Sequence, residues 1–143
     1  MMARALELST KGVGLVSPGP LVGCVVVSAS GEIVGEGFYV FEEVKHAETI
    51  ALEQAGTRAR GGTAYVSLEP HAHHGRTPPC TDALIAAGIK RVVAGCSDPN
   101  PNVPGGALDK LRAAGIEERC TVVLADLTDH DSLLRVLGEY DVE

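Results

Sequence analysis

The sequence predicts an α/β protein, a three-layer α/β/α sandwich on one mixed sheet of about five strands. Three observations predict it. Apolar segments switch repeatedly between strand-like and helix-like periodicity along the chain. Gly56, Gly88 and Gly115 stand where three helical patterns stop. A single hairpin signal, Ser30-Gly31, sits between two strand-like runs, so one pair is antiparallel; later strands, separated by helices, are expected to run parallel through right-handed crossovers.

Each element has a local reason. Residues 2–11 carry Ala5, Leu6 and Leu8 on a helical period, and Ser17-Pro18-Gly19-Pro20 then breaks the chain. Leu21 to Ser28 is a nearly unbroken β-branched run and reads as a buried strand, with Glu32 to Phe38 as its hairpin partner. His46 to Ala55 is helical, and Ala64 to Leu68 is the third strand. Residues 69–79 form a loop rich in His and Pro. A helix from Cys80 to Ala87, a strand from Arg91 to Gly95 and a Pro/Gly/Asn loop over 98–106 follow. The chain closes with a helix from Ala107 to Ala114, a short strand from Thr121 to Leu124 and a helix from Asp131 to Glu139. No linker or repeat divides it, so residues 1–143 are expected to form a single domain.

Composition narrows the function. The chain has 12 Lys+Arg against 19 Asp+Glu, a formal charge of −7. That argues against a protein built to coat nucleic acid, which needs a basic excess, though a local pocket for one phosphate stays open. With no Trp, three Tyr and two Phe, the core must be aliphatic, and 17 Gly imply tight turns and close backbone approaches. No apolar run approaches the roughly 20 residues that span a bilayer, and the N-terminus lacks the apolar core of a signal peptide. The expected setting is the cytoplasm, with no membrane partner. Cys24, Cys96 and Cys120 lie in strand-like runs and read as small buried hydrophobes. Cys80, after Pro78-Pro79, differs because it opens a helix.

Three places can make a metal site: His46 in His46-Ala47-Glu48, His71 in Glu69-Pro70-His71-Ala72-His73-His74, and Cys80. His46 and Cys80 are expected in the first turn of a helix, where unpaired N–H groups and the positive dipole end favour an anionic ligand such as a thiolate. His71, nine residues before Cys80, is near enough in the chain to fold back to the same point. Three N/S ligands with one open position are the layout of a catalytic zinc site. Glu48 is then free to move a proton from a water that zinc activates at neutral pH, which suits hydrolytic removal of an amino group from a ring C=N carbon.

The stretch from Leu68 to Val93 resembles the pyrimidine deaminase domain of the bifunctional riboflavin-biosynthesis deaminase/reductase. So do Met2-Ala3-Arg4-Ala5-Leu6, Val22-Gly23-Cys24-Val25-Val26-Val27, Ile33-Val34-Gly35-Glu36-Gly37, His46-Ala47-Glu48 and Asp98-Pro99-Asn100-Pro101. The eight residues between His71 and Cys80 resemble this branch; nucleoside and tRNA deaminases have a shorter gap. The resemblance implies a cytidine-deaminase-like fold, a Zn2+ cofactor held in part by His46 and Cys80, and Glu48 as proton shuttle. It implies a small-molecule substrate, 2,5-diamino-6-ribosylamino-4(3H)-pyrimidinone 5′-phosphate, which loses its 2-amino group as ammonia. His73 and Arg76 match positions that contact the substrate at its phosphate, and Arg76 also offers a fixed fork of donors suited to a phosphate. Asp98 and Asn100 match positions that read the pyrimidine and ribose.

The chain departs from that family at the site. His71 replaces a Cys ligand, Gly19 an Asn and Tyr39 a His, both of the latter substrate contacts, and Gly105-Gly106-Ala107 replaces Gly-Arg-Gly. One thiolate fewer leaves the metal about one unit more positive, a stronger Lewis acid whose water is a weaker nucleophile. The family's reductase domain is expected to be absent from these residues. A zinc deaminase of another aminopyrimidine or aminopurine, and a non-catalytic binding module on the same fold, therefore stay open. A homo-oligomer and a separate reductase stay open as partners.

Overall fold

The computed structural model describes residues 1–11, 21–39, 46–70, 79–96 and 107–122, with backbone only at Cys96 and residues 120–122. Among the described residues four α-helices and five strands follow one another: α1 (Met2–Thr10), β1 (Gly23–Val27), β2 (Ile33–Phe38), α2 (Ala47–Ala55), β3 (Thr63–Val66), α3 (Cys80–Ala86), β4 (Arg91–Cys96), α4 (Ala107–Ala113) and β5 (Glu117–Val122). A 3-10 turn over Gly56–Ala59 extends α2 beyond its predicted stop. The strands form one mixed sheet in the order β2-β1-β3-β4-β5. β1 pairs antiparallel with both β2 and β3, whereas β3–β4 and β4–β5 are parallel. The predicted helix over 131–139 lies outside the described residues, as does Leu124 of the predicted last strand.

The period of two along β1 sorts the core into two sides. Cys24 and Val26 join Ala64, Val66 and Val92 under α2, α3 and α4, where Leu84 and Leu111 are fully buried. Val25 and Val27 face the other way, toward Val93 and the α1 residues Met2, Ala5, Leu6 and Leu8. A central strand covered on both faces needs apolar residues at every position, which is why β1 reads as a continuous run. Burying each of the two leucines contributes about 2–3 kcal/mol.

Gly88 and Gly115, at φ +75° and +85°, end α3 and α4 in the same way. The following Ile89 and Ile116 N–H groups reach back to Leu84 O and Leu111 O at 3.3 and 3.0 Å, and both isoleucines are buried. α1 is also tied to β2 by a fork in which Arg4 Nε and Nη2 donate to Glu36 Oε2 and Oε1 at 2.5 and 3.3 Å. That bond, with the arginine's charge, holds the Glu36 carboxyl below its usual range.

The last strand begins earlier than predicted. β5 starts at Glu117, in register with Arg91, and takes in Glu118 and Arg119, whose charges mask the strand in the sequence. Among the described residues β5 pairs with β4 alone, an edge place that tolerates charge, and Arg91 Nε sits 3.9 Å from Glu117 Oε1 across the ladder. No helix among the described residues is long and apolar enough to cross a membrane.

α2 lies unusually close to the hairpin. A methyl group on Gly35 would lie 2.0 Å from Ala51 O, and one on Gly37 would lie 2.4 Å from Ala47 O. Small residues on both partners, Gly35 and Gly37 against Ala47, Ala51 and Ala55, let the helix backbone rest on the strand. Gly37→Ala is therefore expected to destabilise the protein by about 1–3 kcal/mol, since a backbone carbonyl must give way. It should also weaken metal binding by displacing the first turn of α2. Chemical denaturation with zinc titration checks both; unchanged stability would show that α2 is free to shift.

Candidate metal centre

The register places a pocket at one end of the sheet. β1 begins there and β2 and β3 end there, because Gly23 pairs with Phe38 and Cys24 with Val66. Val22, Tyr39, Leu68 and Glu69 line this pocket together with His46 and Glu48.

His46 is the N-cap of α2, one residue before the helix in which it was predicted. Its backbone is extended (φ −78°, ψ 160°), and its carbonyl accepts the first helical bond from Ile50 N–H at 3.1 Å. Its imidazole makes no capping bond and is turned to the pocket instead. Cys80 is the first residue of α3, as predicted, and follows the N-cap Pro79. Pro79 suits that place because a proline before the first turn has no N–H to leave unpaired.

The two side chains meet although they are 34 residues apart: His46 Nδ1 lies 3.1 Å from Cys80 Sγ. Glu48 joins them, and the ligand atoms of all three lie within 4.8 Å of one another. Glu48 is only 3% exposed, and its Oε2 has no hydrogen-bond partner among the described residues. Burial pushes its carboxyl up to about 7, against the opposing pull of its own backbone and of Cys80. Cys24, on the strand beneath, is also buried; burial and then the Glu48 charge push its thiol well up, so it stays protonated.

This donor set fits zinc. Two ligands at ordinary Zn–N and Zn–S lengths in a tetrahedron stand about 3.6 Å apart, close to the spacing of His46 and Cys80. A buried carboxylate oxygen without a partner fits a place beside a cation or an activated water. Of the other predicted site residues, His71, His73 and Arg76 lie outside the described residues, and so do Asp98, Asn100 and Gly19. Tyr39 is described and lies on the pocket wall. The sequence assigned no role to Glu69 or Val22; the signal for each was its place inside a stretch that resembles the deaminase family.

The Glu48 shift sets a pH dependence for the metal-free protein. A carboxyl raised from 4.5 to about 7 on folding keeps its proton better in the folded state. The stabilisation is complete below pH 4.5 and is lost as pH rises through about 7, by roughly 3 kcal/mol in all. Urea midpoints of metal-free protein should therefore fall between pH 5 and pH 8. A flat profile would mean that the carboxylate is solvated.

The cytidine and deoxycytidylate deaminase zinc-binding region matches residues 1–96. The chain belongs to that family. Relatives that the chain resembles include proteins named for riboflavin biosynthesis. Riboflavin biosynthesis protein RibD of Escherichia coli (strain K12) is 58% identical over 116 residues, covering 81% of this chain and 31% of the relative. The diaminohydroxyphosphoribosylamino-pyrimidine deaminase of Buchnera aphidicola subsp. Schizaphis graminum is 50% identical over 115 residues, covering 80% and 78%. Among solved structures, Acinetobacter baumannii RibD (form 1) superposes with a TM-score of 0.81 at 44% identity, covering 96% of this chain and 36% of that one. The chain thus spans about a third of the length of RibD. The family's cytidine-deaminase-like fold agrees with the strand order of the sheet, and its zinc-binding region includes His46, Glu48 and Cys80.

Proposed function

We propose that this chain is a zinc-dependent hydrolytic deaminase of riboflavin biosynthesis. Its proposed substrate is 2,5-diamino-6-ribosylamino-4(3H)-pyrimidinone 5′-phosphate, from which it releases ammonia. The observation that carries the proposal is the meeting of His46 Nδ1 and Cys80 Sγ beside a buried Glu48 oxygen that has no partner among the described residues. The Buchnera aphidicola relative, named for this deamination, supports the substrate class.

In this reading His46, His71 and Cys80 hold the metal, and Glu48 is the catalytic proton carrier. When bound, the zinc supplies Lewis acidity to a water at its open position. Glu48 would take a proton from the attacking water as its oxygen adds to the ring carbon bearing the amino group, and pass it to the adjacent ring nitrogen. The carboxylate would then carry the remaining hydroxyl proton to the amino nitrogen, so that the C–N bond breaks, ammonia leaves and a carbonyl remains. A carboxyl titrating near 7 is suited to both halves of that transfer at neutral pH. Leu68 and Val22 supply an apolar wall against which a flat ring can lie. His73 and Arg76 are assigned to the phosphate end, and Asp98 and Asn100 to the pyrimidine and ribose.

Residues 1–143 are taken as one deaminase domain, with a reductase acting in sequence with it as the proposed partner. The buried thiols of Cys24 and Cys80 suit a reducing compartment, and the cytoplasm is the one proposed. A second reading, deamination of another aminopyrimidine, is favoured by Tyr39, whose ring stands on the pocket wall where the resembled family carries His.

The test is ammonia release from the 5′-phosphate and from its dephosphorylated nucleoside. Zinc-loaded, folded protein should turn over the phosphate. Arg76→Ala should raise its KM by about 10–100-fold, the loss of one or two charge-assisted hydrogen bonds, with little change for the nucleoside. Equal effects on both compounds would remove Arg76 from the phosphate site. No turnover of any aminopyrimidine would overturn the proposal.

A further inference from the structure

Among the described residues Tyr39 gives the pocket an aromatic wall, and it stands against the candidate metal centre. Tyr39 follows β2 directly, and its N–H donates to Val22 O at 3.0 Å, one step beyond the Gly23–Phe38 pair. The ladder between β1 and β2 therefore fixes the backbone at residue 39. The Tyr39 ring meets the His46 imidazole edge to face, with centroids 5.2 Å apart and planes at 74°. Aromatic pairs favour this arrangement because the positive edge of one ring meets the negative face of the other. The same imidazole has its Nδ1 3.1 Å from Cys80 Sγ.

The N-cap position of His46 does not settle the plane of its ring. The side chain makes no capping hydrogen bond, so capping does not set its two torsions, and what packs and bonds around it does. We infer that Tyr39 is a positioning residue for His46: its edge-to-face contact holds the imidazole in the plane that aims Nδ1 toward the metal position beside Cys80. Orientation of a ligand imidazole by its neighbours is a general determinant of metal affinity, and here a ring anchored to the sheet contributes to it alongside the hydrogen bonding of the imidazole. The inference rests on the proposed zinc site, since it concerns the aim of one of that site's ligands.

Zinc affinity by competition with a chromophoric chelator, and the visible spectrum of the cobalt-substituted protein, test it without any turnover assay. Tyr39→Leu should bind zinc about tenfold more weakly and alter the cobalt bands. Loss of stability alone would not move that spectrum in protein that is still folded. Tyr39→Phe keeps the ring and should retain both the affinity and the spectrum of the wild type. Wild-type affinity and spectrum in Tyr39→Leu would overturn the inference. A loss in Tyr39→Phe as large as in Tyr39→Leu would also overturn it, because the hydroxyl group would then carry the effect. Should Tyr39→Leu not fold, Tyr39→Phe decides: wild-type values support the inference and an about tenfold loss overturns it. A wild type that takes up no zinc overturns the zinc site and this inference with it, whereas a zinc-binding wild type matched by Tyr39→Leu overturns this inference alone.

Discussion

Replacing Glu48 with Gln is expected to lower ammonia release by about 10²–10⁴-fold while zinc remains bound. The amide has the size of the carboxyl and can still donate or accept a hydrogen bond, but it cannot take up a proton and hand it on. The same substitution should flatten the pH dependence of metal-free stability, because Glu48 is the buried group that titrates near 7. The variant thus separates two roles that the geometry places close together. Glu48 lies within 4.8 Å of the His46 and Cys80 ligand atoms. Loss of zinc in Glu48→Gln would make Glu48 a ligand. Near-normal ammonia release would remove it from the chemistry altogether.

Cys80→Ala is expected to weaken zinc binding by about 10²-fold or more. Structural zinc sites bind with some 10–16 kcal/mol spread over four ligands, so one thiolate accounts for about 3 kcal/mol. Cys80 is 2% exposed, and its truncation also leaves a small void that costs about 1 kcal/mol. Cys80→Ser fills most of that void without restoring a thiolate, so it should recover stability and little of the affinity. Cys24→Ala is the control. Cys24 is equally buried, but its thiol is held protonated by burial and by the nearby Glu48 charge. Removing it should leave zinc affinity unchanged. Equal zinc binding by Cys80→Ala and wild type, measured by chelator competition, would remove Cys80 from the metal site.

Much of the fold was legible because it depends on short-range patterns. The unbroken Leu21–Ser28 run predicted a strand buried on both faces, and β1 is buried at every position. Gly88 and Gly115 marked two helix ends, since a positive φ after the last turn favours glycine. His46-Ala47-Glu48 and Cys80 were legible as candidates because each carries metal-binding side chains where a helical pattern starts, Cys80 directly after Pro78-Pro79. The strand from Glu117 was partly missed, since three charged residues conceal a strand that is protected by its register with β4.

What the sequence by itself determined is the set of donors, their places at helix starts and the mixed α/β architecture, all consequences of residue type and spacing. Tertiary structure decided what those donors do together. Residues 46 and 80 come within 3.1 Å because α2 rests on the glycines of β2 and α3 begins at the same end of the sheet. The same packing buries Glu48 and moves its proton affinity toward neutrality, a shift set by desolvation that no local pattern encodes. Tyr39 reads in the sequence as a missing substrate contact. In the fold its ring stands against His46, because the β1–β2 ladder carries residue 39 to the pocket and the N-cap position places His46 beside it.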